Sequence, residues 1–150
     1  MTPEEIAQWM REEHKAVEDL AQRLRDRVAT VPRSGLKHWI EATASQLDDF
    51  QTHLNKHFGL EEAGGYLEAV THRSPGLSPE VDRLRHEHEE IGQLLASIHR
   101  ELLTITDQDR ILIEDSCCRV QNLLRYLKAH EEREDLMVVS VFTNDLGDEG

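Results

Sequence analysis

The sequence predicts an all-α fold, an antiparallel up-down-up-down four-helix bundle. Three observations predict it. The four prolines stand at positions 3, 32, 75 and 79, so none interrupts the long stretches between the breaks. Each long stretch carries an apolar stripe in steps of three and four residues, the period of a helix with one buried face. No strand-like alternation of any length competes with it. Four such helices joined mostly by short loops pack as a bundle.

The first helix is expected over about residues 3–30. Thr2 and Glu5 form a capping-box pair, and Pro3 takes the first helical position, where its missing N–H does no harm. Its stripe runs Ile6, Met10, position 14, Val17, Ala21, Leu24, Val28. The break Val31-Pro32-Arg33-Ser34-Gly35 ends it. The second helix is expected over 36–63, with Leu36, Ile40, Ala44, Leu47, Phe50, Leu54 and positions 57 and 61 facing inward. Gly64-Gly65 reads as its stop. A second break covers Thr71 to Gly76. Ser78 then caps, and Pro79 opens, a third helix over 79–104 with Val81, Leu84, position 88, Ile91, Leu95, Ile98 and Leu102 inward. The fourth helix is expected over 108–141, with Val120, Leu123, Leu127, positions 130 and 134, Met137 and Val141 inward. One bundle thus takes residues 1–142, and 143–150 form an acidic, frayed tail.

Composition narrows the partners. A chain of 150 residues suits one domain with a sizeable core. With 17 Lys+Arg against 30 Asp+Glu the formal charge is −13, which repels nucleic acid and acidic membrane surfaces alike. Aromatics at 5% leave no platform for stacking bases. Met1 to Glu5 shows neither the basic nor the apolar region of a signal peptide, and no run approaches the roughly 18 apolar residues of a membrane span. The adjacent Cys117 and Cys118 make no disulfide framework. The expectation is a cytoplasmic protein with no nucleic-acid or membrane partner and no protein partner that the sequence names.

The positions left open in the stripes carry the chemistry: His14, His57, Glu61, His88, His130 and Glu134. All four helices put a histidine in the core, and the second and fourth add a glutamate four residues later, one turn along the same face. An ionised carboxylate in a bundle core is strongly unfavourable unless paired or bound to a cation, and no lysine or arginine lies on these stripes. The spacing repeats: 43 residues from His14 to His57 and 42 from His88 to His130, so the chain reads as two similar hairpins. In each hairpin the histidines sit about 7–8 Å apart in level, and the tilt of side chains toward their helix N-terminus closes most of that. Four imidazoles and two carboxylates suit a pair of transition-metal ions, each with two imidazoles and both glutamates bridging. The donor set favours iron, manganese or zinc over calcium or magnesium.

The run His57-Phe58-Gly59-Leu60-Glu61-Glu62 resembles the His-Phe-x-x-Glu-Glu signature of hemerythrins. With His14, Glu87-His88 and His130-x-x-x-Glu134, the chain resembles the hemerythrin-like HHE cation-binding domain family over about residues 5–141. The resemblance implies a non-haem di-iron centre, oxo- or hydroxo- and carboxylate-bridged. His14 and His57 would bind one iron, His88 and His130 the other, and Glu61 and Glu134 would bridge them. Zinc and manganese are the alternatives. Members carry or sense oxygen, sense iron, handle nitric oxide or peroxide, or help to repair iron centres. Two departures stand out. Oxygen carriers have a His-x-x-x-His pair on the third helix, whereas Leu84 and Gly92 flank His88 at that spacing, so the chain resembles the four-His, two-Glu branch. The Leu-Phe-Pro ending after the glutamates is also absent: Gly64-Gly65-Tyr66 and Leu136-Met137-Val138 stand there.

The leading expectation is a di-iron protein that binds O2, NO or peroxide at an open iron position, in oxygen or NO handling, sensing or iron homeostasis. The alternatives are a redox enzyme (peroxide or NO turnover, or iron-centre repair), a metal-regulated protein-interaction module, and a metal-free structural bundle. Other residues take lesser roles. His53, one turn before His57, is a candidate extra ligand or supporting donor. His86 is expected in solvent, His38 and His99 on the surface or flank, and His72 in a loop. Asp135 is turned about 100° from Glu134 and is the weaker candidate. Glu87, Glu90 and the other acidic runs read as solvated faces. Cys117 reads as core filler about 20 Å along the helix from His130. Tyr126 is expected to pack on the flank, and Gly92 is a candidate opening for a small ligand.

Overall fold

The computed structural model of the chain describes residues 2–63 and 65–143. It is an all-α four-helix bundle, as the stripes predict. Helix α1 spans Pro3–Val28, α2 Leu36–Glu62, α3 Tyr66–Arg73, α4 Ser78–Thr104 and α5 Arg110–Val138, followed by a π-helical turn over Val139–Thr143. The long helices form a closed ring in which α1 packs on α2 and α5, and α4 packs on the same two. Tight connections make the neighbours antiparallel. The helix ends agree with expectation to within about three residues, the usual uncertainty of fraying termini. Beyond Thr143 the expected acidic tail lies outside the described residues.

The α1 cap forms as expected. The Thr2 hydroxyl accepts from Glu5 N–H at 3.1 Å, and the Glu5 carboxylate accepts from Thr2 N–H at 3.1 Å. At α4 the expectation is corrected. Ser78 is not a cap: a 3-10 turn over Pro75–Leu77 feeds the helix, and the Ser78 hydroxyl donates back to the Pro75 carbonyl at 2.8 Å. The turn supplies what the cap was expected to supply, an ordered entry.

The helix α3 was not expected. Its eight residues bury Tyr66, Leu67 and Val70 against the bundle end, and His72 stands exposed on it rather than in a loop. Gly65 permits the sharp return from α2. A Cβ there would fall inside the contact radius of the backbone carbonyl oxygens of Leu60 and Glu61, which cannot swing aside as a side chain would.

The core is divided by height. One apolar cluster runs from Val17 to Val28 on α1, Ile40 to Phe58 on α2, Ile91 to Leu102 on α4 and Ile113 to Leu127 on α5. A second holds Ile6, Met10, Tyr66, Leu67, Val70, Val81, Leu84, Val138, Val141 and Phe142. Between them lies a polar layer. On α1 His14 stands between Met10 and Val17, on α4 His88 between Leu84 and Ile91, and on α5 His130 and Glu134 between Leu127 and Val138. Each stripe residue named from the sequence is buried except Leu36 and Met137, which are partly so. Cys117 is core, as expected, and Cys118 is exposed. Among the described residues no helix is long and apolar enough to cross a membrane.

Candidate metal centre

The polar layer brings all six open-stripe residues together. His14, His57, Glu61, His88, His130 and Glu134 are each buried, the two glutamates with no exposed surface at all. Each histidine turns Nε2 inward. His14 Nε2 lies 3.4 Å and His130 Nε2 3.3 Å from Glu134 Oε1. His88 Nε2 lies 3.6 Å from Glu134 Oε2 and 3.8 Å from Glu61 Oε2. His57 Nε2 touches Glu61 Oε1. Two overlapping donor groups result: His14, His57, Glu61 and Glu134, and His88, His130 and Glu134, with the donor atoms of each within 4.8 Å of one another. The imidazoles pair as the two hairpins suggest, with ring centres 5.5 Å apart for His14 and His57 and 4.9 Å for His88 and His130. Phe58 walls the layer from the side of the larger apolar cluster, stacked on His88 at 3.9 Å.

The outward Nδ1 atoms are tethered by carboxylates from neighbouring helices. His14 Nδ1 is 2.8 Å from Asp135, His57 Nδ1 3.1 Å from Glu13, and His130 Nδ1 2.8 Å from Glu87. His88 Nδ1 has Glu62 at 3.3 Å, close enough for ion-pair attraction but not aligned as a hydrogen bond. The pattern repeats across the two hairpins. Glu13 and Glu87 each precede the histidine of their own helix and hold the one on the next. Glu62 and Asp135 each follow the layer glutamate of their own helix and hold the histidine across. A carboxylate on Nδ1 keeps the proton there and leaves Nε2 as a lone-pair donor, the tautomer a metal ligand needs.

The six groups alone cannot all hold their usual charges. Burial, and then the neighbouring Glu134 carboxylate, push Glu61 well above the usual carboxylate range. Burial acts upward on Glu134 too, but the polar groups of Glu61, His130, His14 and His88 close around it outweigh that and hold Glu134 well below that range. Two carboxylates this close and this buried cannot both ionise, so the pair shares a single proton. Burial opposes charge on His14, yet Asp135 and Glu134 lift it to about 10. Burial draws His57 down to about 4, against Glu13 and with the help of the His14 charge. Even so, all four Nε2 atoms, both Glu61 oxygens and Glu134 Oε1 are buried without a well-formed hydrogen bond. Each such atom costs about 1–3 kcal/mol in a folded core, and a layer of them is what cations would satisfy.

The remaining expectations divide. Asp135 and Glu87 are not bystanders on a solvated face; they hold His14 and His130. Asp135 does point away from Glu134, but that direction is toward α1. His53 is half-buried and outside both donor groups, although its Nε2 is enclosed without a partner. His86 is solvent-exposed near Glu89 and Glu90, as expected. Tyr126 is exposed and lines a 450 Å³ cavity that reaches His130, Glu87 and Arg133; Gly92 does not line it. Sequence reasoning missed Tyr66, whose hydroxyl donates to Glu134 Oε2 from inside the layer. It also missed the tethering role of Glu13 and Glu62, although Glu-His at 13–14 and 87–88, with Glu-Glu at 61–62 and Glu-Asp at 134–135, is a legible repeat.

Comparison with known proteins points to a cation-binding family. The sequence model of the hemerythrin HHE cation binding domain matches residues 5–142. No curated protein and no solved structure matches the chain.

Proposed function

Because the chain belongs to the hemerythrin HHE cation-binding family, we propose that its buried layer holds two iron ions and binds a small ligand, O2, NO or peroxide, beside them. His14 and His57 would serve one ion and His88 and His130 the other, with Glu61 and Glu134 shared. The observation that carries this is the set of inward Nε2 and carboxylate atoms buried without partners, with each outward Nδ1 facing a carboxylate. Glu134 belongs to both donor groups, which favours two ions over one. Imidazole with carboxylate suits iron, and zinc and manganese are the competitors. Bound iron supplies the redox and ligand-binding chemistry; the chain supplies donors, charge balance and a dry wall of apolar side chains.

The test is metal analysis of the isolated protein, with optical spectra of the reduced form before and after exposure to air and to nitric oxide. Iron near two per chain and spectral changes with either gas are expected. Stoichiometric zinc and a colourless, unresponsive protein would overturn the reading.

The tethers make a separate prediction. Glu87→Gln leaves His130 Nδ1 without its anionic partner, and Asp135→Asn does the same for His14. Each should weaken metal affinity about 10–100-fold in competition with a chelator. The exposed Glu89→Gln should change nothing. Equal affinities in all three variants would show that the Nδ1 contacts do not set imidazole orientation.

A further inference from the structure

Tyr66 is the one phenol in the polar layer. Its residue is 1% exposed, while Tyr126 is 60% exposed on the flank. It arrives on α3, one tight turn past Glu61, through the return that Gly65 allows. A buried phenol needs one acceptor, and any backbone carbonyl would serve. This one donates to Glu134 Oε2. That oxygen faces His88 Nε2 at 3.6 Å, while Oε1 faces His14 and His130. The hydroxyl therefore lies beside the two shared glutamates, on the face that His88 Nε2 approaches.

We propose that Tyr66 is a seventh ligand, its phenolic oxygen completing the donor set of the His88 and His130 side. The proposal rests on reading the layer as a di-iron site. On binding, the phenol O–H bond is replaced by an oxygen-to-metal bond, and the proton leaves to bulk water, as for any protonated ligand. No oxidant takes part in that exchange. The ligation makes the two ions unequal. The ion served by Tyr66 has less room for an outside ligand, so the small ligand belongs at the His14 and His57 side.

The test compares the wild-type chain with Tyr66→Phe, which keeps the ring and its packing. Both are loaded with ferrous iron without air, then oxidised with ferricyanide. Iron content, visible absorption and resonance Raman spectra are recorded. Wild type should show a phenolate-to-ferric charge-transfer band with enhanced tyrosinate ring modes. Tyr66→Phe should retain its iron and lose both. Iron-loaded wild type without tyrosinate modes overturns the proposal whether or not the variant folds, and leaves the di-iron reading standing. Modes that persist in Tyr66→Phe would assign them to Tyr126 and overturn it equally. Wild type that takes up no iron overturns the di-iron reading, and the ligation with it.

Discussion

Glu134→Ala is expected to abolish stable loading of both ions, not one. Its Oε1 meets His14 and His130, and its Oε2 meets His88, so it is the carboxylate common to both donor groups. Loss of a tether outside the cluster is worth about 10–100-fold in affinity, and loss of a shared ligand should exceed that. Stability should follow. A ligand present at a thousand times its dissociation constant stabilises by about 4 kcal/mol. For a chain of this size each kcal/mol moves the melting temperature by about 2–4 °C, so the metal-loaded wild type should melt about 10 °C above Glu134→Ala. With chelator present the gap should shrink to what the Glu134 carboxylate contributes through its buried contacts with His14, His130 and Tyr66. Calorimetry with and without chelator checks this. A variant as stable as wild type in the presence of iron would mean that the layer is a structural feature of a metal-free bundle.

The six members of that layer were readable in the sequence for a simple reason. A helix stripe with period three to four leaves gaps wherever a polar residue replaces an apolar one, and each of the four long helices has its gap at a matching level. The tethers were harder. Glu13, Glu62, Glu87 and Asp135 stand one position off the stripe, about 100° round the helix, where residues normally face solvent. That angle aims them at the next helix rather than at open water, and only the packing of α1 on α5, α1 on α2, α2 on α4 and α4 on α5 shows it. Tyr66 was unreadable for another reason. A glycine pair reads as a helix stop whatever follows, and eight residues are too few for a periodic signal. The small cluster it joins includes stripe residues such as Met10, Val81 and Leu84, but Tyr66, Leu67 and Val70 reach it from a connector that has no stripe of its own.

In the absence of metal, stability should fall as pH rises from about 6.5 to about 8, and in its presence the trend should reverse. His14 is lifted from 6.5 to about 10, so the folded chain holds a proton that the unfolded chain releases. Its contribution is complete below 6.5 and is lost as pH climbs toward 10. Glu131 is buried beside the cluster and raised, chiefly by burial, from 4.5 to about 8. It too keeps a proton in the folded state that the unfolded state loses, so its effect has the same sign up to about 8. His57 is lowered from 6.5 to about 4 and acts the opposite way, but only as pH falls through that window. Between 6.5 and 8 the first two effects therefore run unopposed by the third. Cations must displace the proton on His14 and the one shared by Glu61 and Glu134, so metal binding strengthens as pH rises. Melting curves recorded at both ends of that range, with chelator and with iron, should diverge: the chelated protein loses stability toward pH 8 and the gap to the loaded protein widens. Parallel curves would mean that the protons on these buried groups and the cations do not compete for one place. That competition is what distinguishes a metal layer from a hydrogen-bonded polar core, because a core satisfied by its own protons would hold its stability best where those protons are bound, with or without iron.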